Sequence, residues 1–533
     1  MENIMTVNSM GVRNKVRALP RSPRRRSRIY IAAATFFAVA GTLGYDAYYG
    51  RLGIIGPQPV IVANGASRII KVPPGGNVQA AIERAESGDI VELQAGAVYN
   101  GEIKLPNKPL TDFVTIQSTA AGNLPADKRV GPSNKASMAT IVAGMLGWPA
   151  VSASNGANHY RFVGIEFTTS SSFFNYGLVV LGLGESAPEK LPHDLEIDRS
   201  YIHPSKTGIV RRGIALNSAN TTIRNSYIEG FGFADKETQG ICGWTGTRNV
   251  HVINNYIEGG AENIMFGGAD PESAELVPTD IEVRANYLSK PREWFGTAIV
   301  KTLFEVKNAK RVRFIGNYLE NNWKGAAFRI TVRNQDGGAK FSTIEDVTIR
   351  DNVINGSGDG INILGKDDTY ESQTLRGLTI ENNLFLNIGG VSGFEGSGYF
   401  VQIADGEDVE ILNNTVFNDG NITTFYGKMP RNFVFRDNIT GHGRYGIHGV
   451  LDMKADGFKA MFQNNLFMNF NRVPPDDYSF PPGNVIVSGS KDVGFVDESA
   501  KDFRLAPNSK YRGKGRSGKN IGSDIGPFNI VQQ

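Results

Sequence analysis

The sequence predicts an all-β chain wound as a single-stranded, right-handed parallel β-helix, a solenoid. Three observations predict it: a signature that recurs at near-regular spacing, apolar/polar alternation between its copies, and a wealth of turn-forming residues. The copies read IEF around Glu166, SYI at Ser200 and Ser226, NYI at Asn255, NYL at Asn286 and Asn317, NVI at Asn352, NLF at Asn383, NTV at Asn414, NIT at Asn438 and NLF at Asn465. Successive copies lie 24 to 35 residues apart, the scale of a supersecondary unit that stacks on its neighbours. Segments such as VRFIGNYLENN and LTIENNLFLNI alternate apolar with polar residues at period two, and no unit sustains a helical pattern. The units are therefore coils of β-strand. The 63 glycines and 24 prolines suit a chain that turns a corner every few residues.

Asparagine tolerates left-handed backbone angles and bonds its own backbone, so it fits a tight corner. In a parallel stack each such side chain also reaches the copy about 4.8 Å away. An internal asparagine ladder is the expected consequence. A chain of 533 residues would ordinarily divide into domains, but a solenoid grows by adding coils.

The chain begins with a basic tail at 1–28, in which eight cationic residues between Arg13 and Arg28 face Glu2 alone. An uncharged apolar stretch follows, and 29–49 is read as an export helix. Two readings stay open. With Ala47 to Tyr49 included, the stretch reaches the roughly 20 residues of a membrane anchor, whereas Ala38-Val39-Ala40 fits a signal-peptide cleavage site. Either places the body outside the cytoplasm, with the membrane as a partner through this helix. The whole chain carries +3; the tail contributes 8 − 1 = +7, leaving 3 − 7 = −4 for the rest. A mildly acidic exported body argues against nucleic acid as a partner. Cys242 is alone, so no intramolecular disulfide forms.

Residues 50–69, around GPQP, are read as a linker. Val78 to Ala85 reads as a short amphipathic cap helix over the first coil. The β-helix is expected over 70–470, and 471–533, where the signature fades, as its closing end.

At this point the chain resembles the pectate-lyase-like β-helix superfamily from about Ile70 onward. The resemblance lies in the repeat, its Asn-aromatic signature and an opening run, VPPGGNVQAAIERAESGDIVELQAGAVY, similar to that family's N-terminal cap. One scaffold of this kind carries many chemistries.

Function is sought by aligning one strand from each coil: Ile214–Asn217, Ile241–Trp244, Ile264–Gly267, Phe304–Lys307, Phe328–Thr331 and Ile361–Leu364. The first residue of each points inward, so the second and fourth point outward. One outward column is Ala215, Cys242, Met265, Glu305, Arg329, Asn362; the other is Asn217, Trp244, Gly267, Lys307, Thr331, Leu364. Glu305, Lys307 and Arg329 meet on adjacent coils and are the candidate catalytic residues. Elimination on a uronate needs a cation against the carboxylate and a base for the neighbouring proton, and a lysine crowded by cations serves as such a base. The alternative is a surface ion-pair ladder worth about 0.2–1 kcal/mol. The cluster is similar to that of β-helix lyases acting on alginate or dermatan-type chains. That resemblance implies an acidic polysaccharide as substrate and calcium as an aid, yet Val300 and Thr302 stand where the calcium-binding acids are expected.

Trp244, Arg212, Arg333 and Asn362 are candidate substrate-binding residues, and Asp270, beside Glu272, a candidate calcium ligand. No cofactor is otherwise required. The GHG at Gly441–Gly443 is similar to a polygalacturonase motif, but Asp367 and Asp368 lie too far upstream to complete it, so a turn histidine is expected. The six histidines show no short metal-ligand spacing. The two functional classes carried forward are a polysaccharide lyase and a glycan-binding surface protein.

Overall fold

In the computed structural model, residues 59–527 are described, apart from 65–66, 171–172, 450–460 and 469–482. The export helix at 29–49 and the basic tail lie outside the described residues. Among the described residues no helix is long and apolar enough to cross a membrane.

The repeated runs form parallel strands that stack coil upon coil. One sheet runs from Ile90–Leu93 through Arg248–Ile253, Thr279–Arg284 and Ala309–Ile315 to Phe462–Gln463, each strand paired in parallel with the same strand of the next coil. Its alternation is the period-two pattern of the sequence. Val250, Val252, Val283, Val312 and Phe314 are wholly buried, and the residues between them, His251, Glu282 and Arg313, pair across the outer face. A second series follows the asparagines, as Tyr256–Glu258 pairs with Tyr287–Ser289 and that with Tyr318–Thr331. The third carries the aligned inward column, in register as expected: Ile214, Ile241, Ile264, Phe304, Phe328 and Ile361 face one another in turn. Inside, Phe304, Phe314, Phe328, Phe385, Phe400 and Phe435 form a continuous aromatic stack with centroid separations of 4.3–6.4 Å.

The ladder is present, and longer than the signature suggests. The Asn255 amide nitrogen and Nδ2 both donate to Asn286 Oδ1, at 2.9 and 3.0 Å, while Nδ2 also donates to Ile223 O. The same pattern repeats through Asn317, Asn352, Asn383, Asn414, Asn438 and Asn465 and ends on Asn484. Two details differ from expectation. The left-handed residue is the one before the ladder asparagine: Asn254, Ala285, Asp351, Asn382, Asn413 and Asp437 all have positive φ. The ladder asparagine instead turns its amide along the stack. The first copy also sits one residue earlier, because Glu166 pairs with Tyr201 and Ile165 therefore holds the corner.

The cap helix is Val78–Arg84, with the Asn77 side chain accepting from Ala80 N and Val78, Ala81 and Ile82 buried. Part of the segment read as a linker is structured. Val60–Asn64 pairs antiparallel with Ser67–Val72, which opens the first sheet; both runs are rich in β-branched residues. The chain after 482 also differs from a simple closing end. Val485–Val487 adds one more rung, and an antiparallel pair, Phe495–Asp497 with Asp502–Leu505, follows. The segment then returns along the outside of earlier coils: Asn464 Nδ2 donates to Lys514 O, Gly522 N to Asp437 O, Ser523 N to Thr415 Oγ1 and Asp524 N to Asn382 Oδ1. Phe503 packs there with Leu384 and Leu386.

Candidate functional site

Glu305 and Arg329 are cross-strand partners on adjacent coils. Lys307, two residues on from Glu305, points the same way by strand alternation, and its Nζ lies 3.9 Å from Glu305 Oε1. The three line one cavity of about 430 Å³ with Lys301, Arg333, Asn362, Asp367 and Tyr370. The proposed trio is thus brought together, and two of the four substrate-binding candidates, Arg333 and Asn362, join it.

Glu305 is only 2% exposed, so its ion pair with Lys307 is a buried one rather than part of a surface ladder. Neither Glu305 Oε2 nor Glu262 Oε1, on the preceding coil, has a hydrogen-bond partner among the described residues. Burial pushes Glu305 up to about 7; Glu262 adds to the rise, while Lys307 and Arg329 oppose it. Glu262 is fully buried, accepts from Gln239 Nε2 at 2.8 Å and lies 3.8 Å from Lys301 Nζ. The corner before it is held by Lys290, a buried amine whose Nζ donates to Gly259 O, Gly260 O and Asn263 Oδ1 at 2.7–2.9 Å. Lys301 in turn pairs with Glu237. The site therefore holds two buried carboxyls, Glu262 and Glu305, among cations.

Arg329 and Asn362 also line a second cavity, of about 680 Å³, with Asp359, Tyr399, Gln402, Arg444, Tyr445 and His448. These residues extend the same outward column, Asn362 facing Gln402, Gln402 facing Thr424 and Thr424 facing His448. Two shared residues make the cavities one groove along the stack. From Glu305 to His448 it crosses five inter-coil steps, roughly 24 Å at 4.8 Å each. Asn362 Nδ2 donates to Gln402 Oε1 at 2.9 Å, and Arg333 Nη1 lies 2.5 Å from Asp368 Oδ1.

Trp244 and Arg212 do not line the cavity over Lys307. The Arg212 guanidinium stacks on the Trp244 ring, 4.5 Å from its centroid, so each occupies the other's face. Asp270 is not placed as a calcium ligand either: its carboxylate accepts from Gln335 N, Asp336 N and Gly338 N at 2.5–2.9 Å and pins one loop to another. Near Lys307 the residues do not fit calcium, because Val300 is buried and Thr302 Oγ1 donates to Ala327 O. His442 of the GHG motif is buried, with Nδ1 bonded to Gly443 O at 2.8 Å, the turn role expected of it.

The sequence reading passed over Glu262, Lys301, Tyr399 and His448. Glu262 stands two residues before Ile264, where the aligned column began; His448 was reachable by carrying that column three coils further.

No protein-family model matches the chain, and no curated protein matches it in sequence. Among solved structures, a mutant of the PL6 family alginate lyase AlyGC is 12% identical with a TM-score of 0.49, over 87% of this chain and 58% of that one. The catalytic unit of a thermostable GH87 alpha-1,3-glucanase from Streptomyces thermodiastaticus strain HF3-3 is 13% identical with a TM-score of 0.46, over 81% and 69%. The A-module of the mannuronan C-5 epimerase AlgE6 from Azotobacter vinelandii is 12% identical with a TM-score of 0.39, over 78% and 96%. The chain thus spans less than two thirds of that alginate lyase. These are likenesses of fold, and the strand pairings above establish the parallel β-helix by themselves.

Proposed function

We propose that this chain is an exported, polysaccharide-active β-helix protein that cleaves an acidic, uronate-containing polymer by β-elimination in the groove over Lys307 and Arg329. The observation that carries the reading is the convergence of Lys301, Lys307, Arg329 and Arg333 on one groove of a chain whose body is net acidic. A groove with that local sign attracts a polyanion, and its length suits a chain of sugars. The basic stretch and apolar segment at the N-terminus support export.

In this reading a guanidinium, Arg329 or Arg333, faces the uronate carboxylate and offsets its charge. Lys307 takes the proton from the carbon that bears the carboxylate. The electron pair left behind forms a carbon–carbon double bond, the glycosidic carbon–oxygen bond breaks, and the departing oxygen takes up a proton. Burial raises the proton affinity of the Glu305 carboxyl, and in its neutral form it leaves Lys307 among cations without a full counter-charge. No step passes through calcium.

A second reading, glycan binding without chemistry, is favoured by one observation: the Glu305 carboxyl is buried and ion-paired with Lys307. Incubating the purified protein with alginate, pectate and glycosaminoglycans separates the two. The lyase produces unsaturated chain ends that absorb in the ultraviolet. Affinity without product would establish the binder, and neither binding nor product on any polyuronate would refute the proposed substrate class.

A further inference from the structure

Away from the groove, one corner of the stack gathers two imidazoles and a carboxylate. His159 and His193 are 34 residues apart in sequence, yet their strands are paired neighbours, with His193 opposite Asn158 and Leu195 opposite Tyr160. Asp194 therefore stacks directly on His159. One ligand atom from each of His159, His193 and Asp194 lies within 4.8 Å of the other two. All three side chains are partly exposed and open to an ion from solvent.

Hydrogen bonds fix how these rings present their nitrogens. Asn158 Nδ2 donates to two carbonyl oxygens, Gly156 O at 2.8 Å and Lys108 O at 3.3 Å. Carbonyls only accept, so the amide orientation is settled and Oδ1 is the atom that meets His159 Nδ1, at 2.7 Å. The Nδ1 position must then carry the proton, which leaves the lone pair of the neutral ring on Nε2. His193 Nδ1 lies 2.6 Å from Asp194 Oδ2, so these two atoms face one another closely enough to share a proton or an ion. An imidazole whose far nitrogen donates to a carbonyl or carboxylate is the usual arrangement behind a metal ligand, since it sets the tautomer and the ring plane. Phe113 limits the His159 ring from one side, with centroids 5.8 Å apart.

The corner itself makes histidine notable here. Position 159 and its stacked equivalents 194, 220, 249 and 280 all take left-handed backbone angles. The later coils fill the position with Asn220, Asn249 and Asp280, residues that tolerate it well. Histidine is a less obvious occupant, and the first coil that carries one is followed by a coil that adds a second histidine and an aspartate beside it.

We propose that His159 through Nε2, His193 through Nδ1 and Asp194 through a carboxylate oxygen form a binding site for one divalent transition-metal ion, of the zinc, copper or nickel type that imidazole favours, the ion replacing the proton shared by His193 and Asp194. Three protein ligands leave a position open to water or to an oxygen of a bound molecule. The site is independent of the groove and of the activity proposed for it.

The test is a calorimetric titration of the full chain, untagged and stripped with chelator, with zinc, and a parallel titration with cobalt followed by its visible absorption. The wild type is expected to take up one equivalent with tetrahedral-type cobalt bands. His159→Asn keeps a residue suited to the left-handed corner, as Asn220 and Asn249 show, and should weaken binding about tenfold or more, the least that loss of even an outer partner typically costs. His193→Gln should do the same, with circular dichroism and melting temperature in chelator unchanged for both. Absence of a wild-type binding event, or undiminished affinity in His159→Asn, would overturn the site.

Discussion

Glu305 ties stability to pH. Its folded-state proton affinity is raised to about 7, above the ordinary value for a glutamate, so its contribution is complete below that ordinary value and is lost as pH rises through about 7. Glu258, raised to about 7 mainly by burial, acts in the same direction. Glu305→Gln keeps the size of the side chain and cannot ionise. Melting temperatures should therefore fall less between about pH 5 and about pH 8 for the variant than for the wild type, and parallel falls would contradict the raised proton affinity of Glu305. The ladder gives a second prediction. Asn317 accepts from Asn286 and donates to Val283 O and Asn352 Oδ1, all buried. Asn317→Ala should cost about 4 kcal/mol in urea unfolding, at roughly 1 kcal/mol for each of the four lost bonds; a loss under about 1 kcal/mol would show the ladder to be incidental. The asparagines were legible because one letter recurs at one spacing. The left-handed corner was not, because Asn, Asp, Ala and Gly share it and no single letter marks it.

At the scale of elements, strands and cap helix were legible wherever alternation or a capping residue announced them. The hairpin Val60–Asn64 with Ser67–Val72 was masked by nearby prolines. The C-terminal return was masked for a different reason: Phe495 and Phe503 belong to no repeat, and their partners, Leu384, Leu386 and Phe417, lie on coils far back in sequence. This return covers apolar side chains on the outer face of the asparagine series. Phe503 is 8% exposed, and Phe503→Ala should destabilise the body by about 3 kcal/mol or more, with lower urea midpoint and earlier proteolysis of the C-terminal segment. An unchanged midpoint would mean that the segment adds nothing to the stack.

At the scale of the molecule, a stack of coils turns sequence distance into a straight line. Glu305, Arg329, Asn362, Gln402, Thr424 and His448 become one column. Half of that column was readable by alignment of the inward residues. The burial of Glu262 beside this column was not, because Glu262 and Glu305 hold different positions on neighbouring coils rather than equivalent ones. The resulting groove, cationic at Lys301, Lys307, Arg329 and Arg333, is what gives the chain its proposed chemistry. The most direct measurement is ultraviolet absorbance of polyuronate digests with the wild type, Lys307→Ala and Arg329→Ala, each checked for native circular dichroism. The account predicts a rise for the wild type and a loss of at least about a hundredfold in both variants, the scale of a missing general base. Turnover by Lys307→Ala at the wild-type rate would contradict it.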